Sequence, residues 1–447
     1  MQESDPESDT RSARPLIVPR PEHNLSRANI SENALKVLYR LRQENYQAHL
    51  VGGGVRDLLL GHEPKDFDVA TDATPEQVRQ VFRNCRLIGR RFRLAHVHFG
   101  RDIIEVATFR GSGEESDGED PDRRLENGMI VRDNIYGSIE EDALRRDFTI
   151  NALYYDIADF SLIDYADGLA DLRAGRLRLI GDPEQRYRED PVRMLRAVRF
   201  ACKLGFTIDT ETERPLFELG HLLHDIPAAR LFDELIKLFH SGYGLDVFEK
   251  LRHYGLFGHL FPATEACLAC EDQAFPVTFV SRGLSNTDLR LRDDKPTTPA
   301  FLFAILLWEP VRRAYERLLG EGGNPIDVIQ AASVEVCSRQ QSLVAIPKRF
   351  SLPMREIWAL QHRLEQREGK RPYRLIAHPR FRAAYDFLLL RAEAGEADSE
   401  LASWWTRFQD ATSQERASMT ESGTKRRRSR SRRRRRKPSA SASEVSG

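Results

Sequence analysis

Short apolar runs alternate with helical periodicity along the first two fifths of the chain, and beyond that only the helical period remains. Ala34, Leu35, Leu38 and Leu41 recur at helical spacing behind Ser31, a residue able to cap a helix. Residues 48–51 read as a strand that ends in three glycines, Gly52, Gly53 and Gly54. Residues 55–60 read as a short helix closed by Gly61. Residues 66–69 then read as a strand, and Thr74-Pro75-Glu76 opens a helix that runs to Phe82. Further strands are expected at 96–99, 103–109 and 149–155. After Gly181 the strand signals fade, and residues 190–204, 226–239, 244–256, 300–307 and 382–394 are amphipathic or apolar at helical period.

This pattern predicts an α+β protein with a mixed head and an all-helical remainder. The expected divisions are a disordered Ser/Pro/Asp/Arg-rich segment at 1–25, the head at 26–180, and a helical neck at 181–240. A helical body follows at 241–410, then a disordered tail at 411–447. The acidic, glycine-rich stretch from Gly111 to Gly128 is long for a connection inside a compact domain.

A chain of 447 residues is too long for one core, which agrees with that division. The formal charge of zero conceals segregation: residues 425–447 hold 11 basic residues and one acid, so the other 424 carry −10. An arm of that kind suits a polyanion. The five cysteines are scattered and odd in number, as in a reducing compartment, and the lone Cys267-x-x-Cys270 lacks the second ligand pair of a zinc site. The first 14 residues are polar, without the apolar centre of a signal peptide, and no apolar run is long enough to span a bilayer. A cytoplasmic protein is expected.

The candidate chemistry begins at Gly52-Gly53-Gly54-Val55-Arg56-Asp57, between a strand and a helix. Gly53 and Gly54 would let backbone N–H groups approach a triphosphate, with Arg56 adding a charged contact; a tight turn alone would use the same residues. Ten residues on, alternation along Asp66-Phe67-Asp68-Val69 predicts Phe67 and Val69 toward the core and both aspartates on the other face. Two carboxylates ~5 Å apart repel by about 3 kcal/mol at an effective dielectric near 20. A pair of Mg²⁺ ions relieves that repulsion and serves nucleotidyl transfer. Glu105, polar within an apolar strand pattern, and Asp147 are the two candidates for a third acid, and the residues alone do not choose between them. Arg145 and Arg146 suit a triphosphate or a loop ion pair, and Asn151 a ribose. Asp190 reads as a helix N-cap ahead of Pro191, while Arg193, Arg196 and Arg199 make a cationic stripe on the helix that follows. Asp190 with these arginines could also read a base edge, worth ~1–3 kcal/mol of discrimination.

These segments, in order, resemble the motifs of class II nucleotidyltransferases, the family of tRNA CCA-adding enzymes and bacterial poly(A) polymerases. The resemblance rests on Leu50-Val51-Gly52-Gly53-Gly54-Val55-Arg56-Asp57, the Asp66/Asp68 pair, Arg145-Arg146-Asp147-Phe148-Thr149-Ile150-Asn151-Ala152 and Glu189-Asp190-Pro191-Val192-Arg193-Met194-Leu195-Arg196. A longer likeness to the poly(A) polymerases covers about residues 30–410, including segments 89–97, 226–232, 345–349 and 381–386. It implies a polymerase-β-like head followed by helical neck, body and leg, with Asp66 and Asp68 as metal ligands and Asp147 as a further catalytic acid. It also implies Gly53, Arg56, Arg145, Arg146, Arg193 and Arg196 at ATP and Asp190 at the base. The implied reaction is template-independent addition of AMP from ATP to RNA 3′ ends with release of pyrophosphate, with CCA addition to tRNA as the rival; a non-catalytic RNA-binding protein on the same scaffold is the alternative from a different class. RNA-decay factors are among the partners to expect, although the residues do not identify them. The arginine-rich tail would hold RNA phosphates without sequence preference. Segments 370–374 and 378–382 interleave basic and aromatic residues, which suits single strands, although a plain helical surface accounts for them too.

Overall fold

The computed structural model describes residues 14–89, 93–111, 123–126, 129–133, 135–270 and 278–421. The chain divides into two compact units, one ending at Leu260 and one beginning at Phe261.

Among the described residues, the first unit carries the strands and helices that frame the site. The strands are β1 Leu16–Val18, β2 Ala48–Val51, β3 Asp68–Thr71, β4 Cys85–Ile88, β5 Leu94–Phe99, β6 Asp102–Thr108, β7 Arg123–Glu126, β8 Met129–Asp133, β9 Leu153–Asp156 and β10 Leu162–Asp164, besides two short paired segments, Arg176–Leu177 and Thr207–Ile208. Eight of them form one sheet in the order β1-β10-β9-β2-β3-β6-β5-β4, and β7 and β8 pair separately. The β3–β6 pair is parallel, with Asp68 opposite Glu105 and Val69 opposite Val106.

The helices are α1 Glu32–Gln43, α2 Gly53–Leu59, α3 Pro75–Val81, α4 Ile139–Arg145, α5 Gly168–Ala174, α6 Pro183–Glu189, α7 Val192–Leu204, α8 Thr210–Glu213, α9 Ala228–Phe239 and α10 Gly244–His253. Local chemistry starts them where expected. The Ser31 hydroxyl accepts from the Ala34 N–H, and Thr74 and Gln77 close a capping box on α3. On one sheet face Leu50, Val69, Ile104 and Val106 are buried, as are Ala34, Val37, Leu38 and Leu41 of α1, which packs on β2, β3 and β6. On the opposite face Val51, Ala70 and Tyr154 pack with Ala143, Ala152 and Ile180. Period-two alternation therefore sends Asp68, Glu105 and Ala107 to that second face.

Three expectations need correction. Disorder over 1–25 does not extend to Leu16–Val18, which pairs with β10 because Val18 and Leu25 have apolar surface to bury. Disorder from 411 onward does not extend to Ser413–Met419, a helix capped reciprocally by Thr412 and Glu415. The strand expected at 66–69 begins at Asp68, and Phe67 is half-buried, outside the core, where its ring lies beside Gly54. The arginine-rich stretch, residues 112–122 of the glycine-rich insert and Arg90, Arg91 and Phe92 lie outside the described residues.

The second unit is helical from Pro262–Leu268 to Ser413–Met419. Leu364, Phe381, Tyr385, Trp405 and Phe408 form its distal core, and the Trp405 indole N–H donates to the Leu364 carbonyl at 2.8 Å. Phe381 is therefore a packing residue, while Tyr373 is exposed. Cys267 is buried and Cys270 exposed, and neither is in a disulfide. No helix among the described residues is long and apolar enough to cross a membrane.

Candidate active site

The carboxylates come from the two central strands. Asp68 opens β3, Glu105 faces it from β6, and both line a cleft of about 480 Å³ whose other walls come from α4, α6, α7 and α9. Asp66 lies one step before the strand, so alternation no longer places it. It is exposed and outside the cleft lining, although its charge acts on Asp68. Among the described residues no three His, Cys, Asp or Glu side chains stand together as a metal cluster. Of the expected Asp66/Asp68 pair, Asp68 lines the cleft and Asp66 does not.

The glycine turn meets these acids directly. Gly52 has φ +72°, and a Cβ built there would lie 3.6 Å from Arg146 Nη1 and 3.8 Å from Asp68 Oδ2. A Cβ on Gly54 would lie 3.4 Å from the Asp66 carbonyl oxygen. Gly53, singled out from sequence, has a helical backbone and would meet only the Arg56 guanidinium, at 3.5 Å. The demanding position is Gly52, because its conformation is rarely open to other residues.

Arg56 and Asn151 are placed differently from expectation. Arg56 is 3% exposed, its Nη2 lies 2.6 Å from Asp57 Oδ1, and its Nη1 donates to Asn151 Oδ1 at 2.7 Å. Asn151 Nδ2 in turn donates to Asp147 Oδ1 at 3.1 Å, and Arg196 Nε donates to Asp147 Oδ2 at 2.7 Å. A buried relay therefore runs Asp57–Arg56–Asn151–Asp147–Arg196. Neither Arg56 nor Asn151 lines the cleft; both brace the acid that holds Arg196 toward it.

Arg146, Arg186, Arg193 and Arg230 are also held by carboxylates. Arg146 lies 3.0 Å from Asp142 and donates to the Tyr154 hydroxyl at 2.9 Å. Arg186 and Arg193 share Glu189, at 2.9 and 3.0 Å. Asp190 is not the cap of α7, whose N-cap is Pro191 without a side-chain bond. Its Oδ2 instead accepts from Arg230 Nη2 of α9 at 2.8 Å. Arg145 donates to the Gly111 carbonyl and lines the cleft. Sequence reasoning missed Asp142, Arg186 and Arg230 as site residues. Asp142 carried a signal, the i, i+4 spacing to Arg146, and Arg186 lies three residues ahead of the motif that begins at Glu189.

Charge in the cleft is unevenly neutralised. Burial and the nearby charge of Glu105 push the Asp68 carboxyl up to about 6, against a partial offset from Arg146. Burial would also raise Asp147, but Arg196, Asn151 and the Phe148 N–H hold it down at about 2. Burial, with Arg193 close by, brings Arg186 down to about 10. Arg199, buried beside Arg196, is likewise at about 10, and its guanidinium lies 4.4 Å from the Phe200 ring centre. Asp142, Asp147 and Asp190 each face a guanidinium, whereas Asp68 and Glu105 face one another. An oxygen-only pair of this kind, in which burial disfavours the charge on Asp68, suits a hard divalent cation. The surrounding arginines suit phosphate oxygens.

Three family models match the chain: "Poly A polymerase head domain" at 48–178, "Probable RNA and SrmB- binding site of polymerase A" at 205–268, and "Polymerase A arginine-rich C-terminus" at 321–439. Poly(A) polymerase I of Salmonella typhi is 52% identical over 92% of this chain and 90% of its own length. Poly(A) polymerase I of Haemophilus influenzae is 46% identical over 92% of both. A CCA-adding enzyme of Bacillus pumilus is 40% identical over 47% of this chain and 50% of its own. Among solved structures, a CCA-adding enzyme in apo form II has the same fold, with TM-score 0.57 at 19% identity over 92% of both chains. The aligned acids, the braced arginines and these relatives agree, and the chain belongs to the poly(A) polymerase I family of nucleotidyltransferases.

Proposed function

We propose that this protein adds AMP from ATP to RNA 3′ hydroxyls without a template and releases pyrophosphate. The supporting observation is the Asp68–Glu105 pair, which makes no ion pair with a guanidinium among the described residues, in a cleft rich in arginines. Asp68 and Asp66 would hold Mg²⁺, with Glu105 beside them. The ion would activate the attacking hydroxyl and offset charge on the departing pyrophosphate. Arg145, Arg146, Arg193 and Arg196 orient the triphosphate, and the Asp147 relay keeps Arg196 in place. Gly53 and Gly54 supply backbone approach at the same turn. The Asp190–Arg230 pair presents an acceptor and a donor to the adenine edge. Catalysis then rests on positioning and charge neutralisation rather than on a covalent intermediate.

The arginine-rich tail would add sequence-independent, salt-sensitive affinity for RNA, and tails made this way would feed RNA decay in the cytoplasm. CCA addition is the weaker reading, because CCA-adding relatives align over 47% of the chain against 92% for the poly(A) polymerases. The test offers purified protein with Mg²⁺, each NTP singly and CTP together with ATP, and both tRNA lacking CCA and an unstructured RNA. Long tails from ATP alone support the proposal; CTP-dependent addition that stops at CCA refutes it.

A further inference from the structure

The strand register extends the carboxylate pair by one more residue. Asp68 on β3 stands opposite Glu105 on β6, and Glu105 stands opposite His96 on β5. Three neighbouring strands thus present an acid, an acid and an imidazole in one row on the cleft face. His96 Nε2 lies 3.4 Å from Glu105 Oε2. That nitrogen is shielded from solvent and has no hydrogen-bond partner among the described residues. Buried polar atoms without partners are uncommon enough to require a reason. The separation slightly exceeds a formed N–H···O bond, as is common for site contacts that tighten when a ligand binds.

The choice of side chain is informative. Asp142, Asp147 and Asp190 in the same cleft each meet an arginine, which orients the carboxylate and cancels its charge. Glu105 meets an imidazole, which in its neutral form can donate one N–H and orient an oxygen while leaving the negative charge in place. An acid that must attract a cation needs orientation without neutralisation.

We propose that His96 is a positioning residue for the transfer reaction: it donates Nε2–H to Glu105 Oε2 and fixes that carboxylate beside Asp68. This rests on the reading that Glu105 works with Asp68. The test uses the full chain with H96L, H96Q, E105Q and the H96L/E105Q double variant. It measures kcat, KM for ATP and, without nucleotide, Mn²⁺ affinity by electron paramagnetic resonance. H96L should lower kcat and weaken Mn²⁺ binding by about 10-fold each, within the range seen for residues that orient metal ligands, while KM for ATP stays within about 2-fold. H96Q, which supplies an amide N–H, should recover most of both, and H96L should cost nothing further in the E105Q background. Normal kcat and Mn²⁺ affinity in H96L, with E105Q impaired, would overturn the role of His96 alone. Full activity in E105Q would instead remove the reading of Glu105 on which it rests. If H96L does not fold, H96A and the H96A/E105Q double variant take its place: losses in H96A that are recovered in H96Q and add nothing in the E105Q background uphold the proposal, and normal kcat and Mn²⁺ affinity in H96A, or losses in H96Q as large as those of E105Q, overturn it.

Discussion

Asp147, two residues past the end of α4, accepts from Arg196 Nε of α7 at 2.7 Å, and this pair ties the strand-bearing part of the head to the helices that follow it. The same carboxylate accepts from Asn151 and from the Phe148 N–H, so its oxygens are engaged on both sides. The contacts of this acid are thus with the arginine it orients, whereas Asp68 and Glu105 face one another across the strands.

The pair makes stability acid-sensitive with a definite sign. Asp147 titrates at about 2 in the fold, against an ordinary value of 3.8. A depressed carboxylate contributes stability that is full above the unfolded value and is lost as pH falls through the folded one. Its contribution is on the order of 2 kcal/mol, from about 1.4 kcal/mol per pH unit. Urea unfolding of the wild type should weaken between pH 4 and pH 2, and D147N should be less stable at pH 7 with a flatter slope in that window. An unchanged slope in D147N would remove the pair from the account.

Much of this arrangement was legible along the chain, and the part that was not depends on distant partners. Ser31, Thr74 and Gln77 start their helices as local chemistry requires. The Asp68–Glu105 face also follows from alternation, once β3 and β6 are known to pair. That pairing joins residues 37 positions apart, so the sequence alone could not choose Glu105 over Asp147 as the neighbour of Asp68. Asp190 has every local feature of an N-cap, yet Arg230, 40 residues later, takes its side chain. Arg56 was expected at a phosphate because it follows a glycine turn, but Asp57 and Asn151 bury it.

The two neighbouring glycines should behave differently. Gly52→Ala forces a side chain into φ +72° and should cost about 1–3 kcal/mol of stability, with a loss of activity. Gly53→Ala has a helical backbone and no close contact, so thermal unfolding should be nearly unchanged. A raised KM for ATP in G53A, without loss of stability, would be the mark of a backbone approach to the nucleotide at that position. Equal destabilisation by both changes would contradict the assignment of strain to Gly52.

The Asp190–Arg230 pair should govern base choice. Removing one bidentate-type contact costs ~1–3 kcal/mol, or about 5- to 150-fold in selectivity. D190A and R230A should each lower the ratio of kcat/KM for ATP to that for CTP by an amount in this range. They should not act additively, because they share one contact at 2.8 Å. Additive losses would mean that the two side chains act on different parts of the substrate.

The most direct measurement of the central claim is AMP incorporation into an unstructured RNA by Asp68→Ala, with unfolding temperature and RNA affinity recorded on the same preparation. The account predicts a loss of at least ~100-fold in incorporation while both other values stay near wild type, because Asp68 serves the cation and the reacting phosphate rather than the fold. Incorporation within a few-fold of wild type would contradict it.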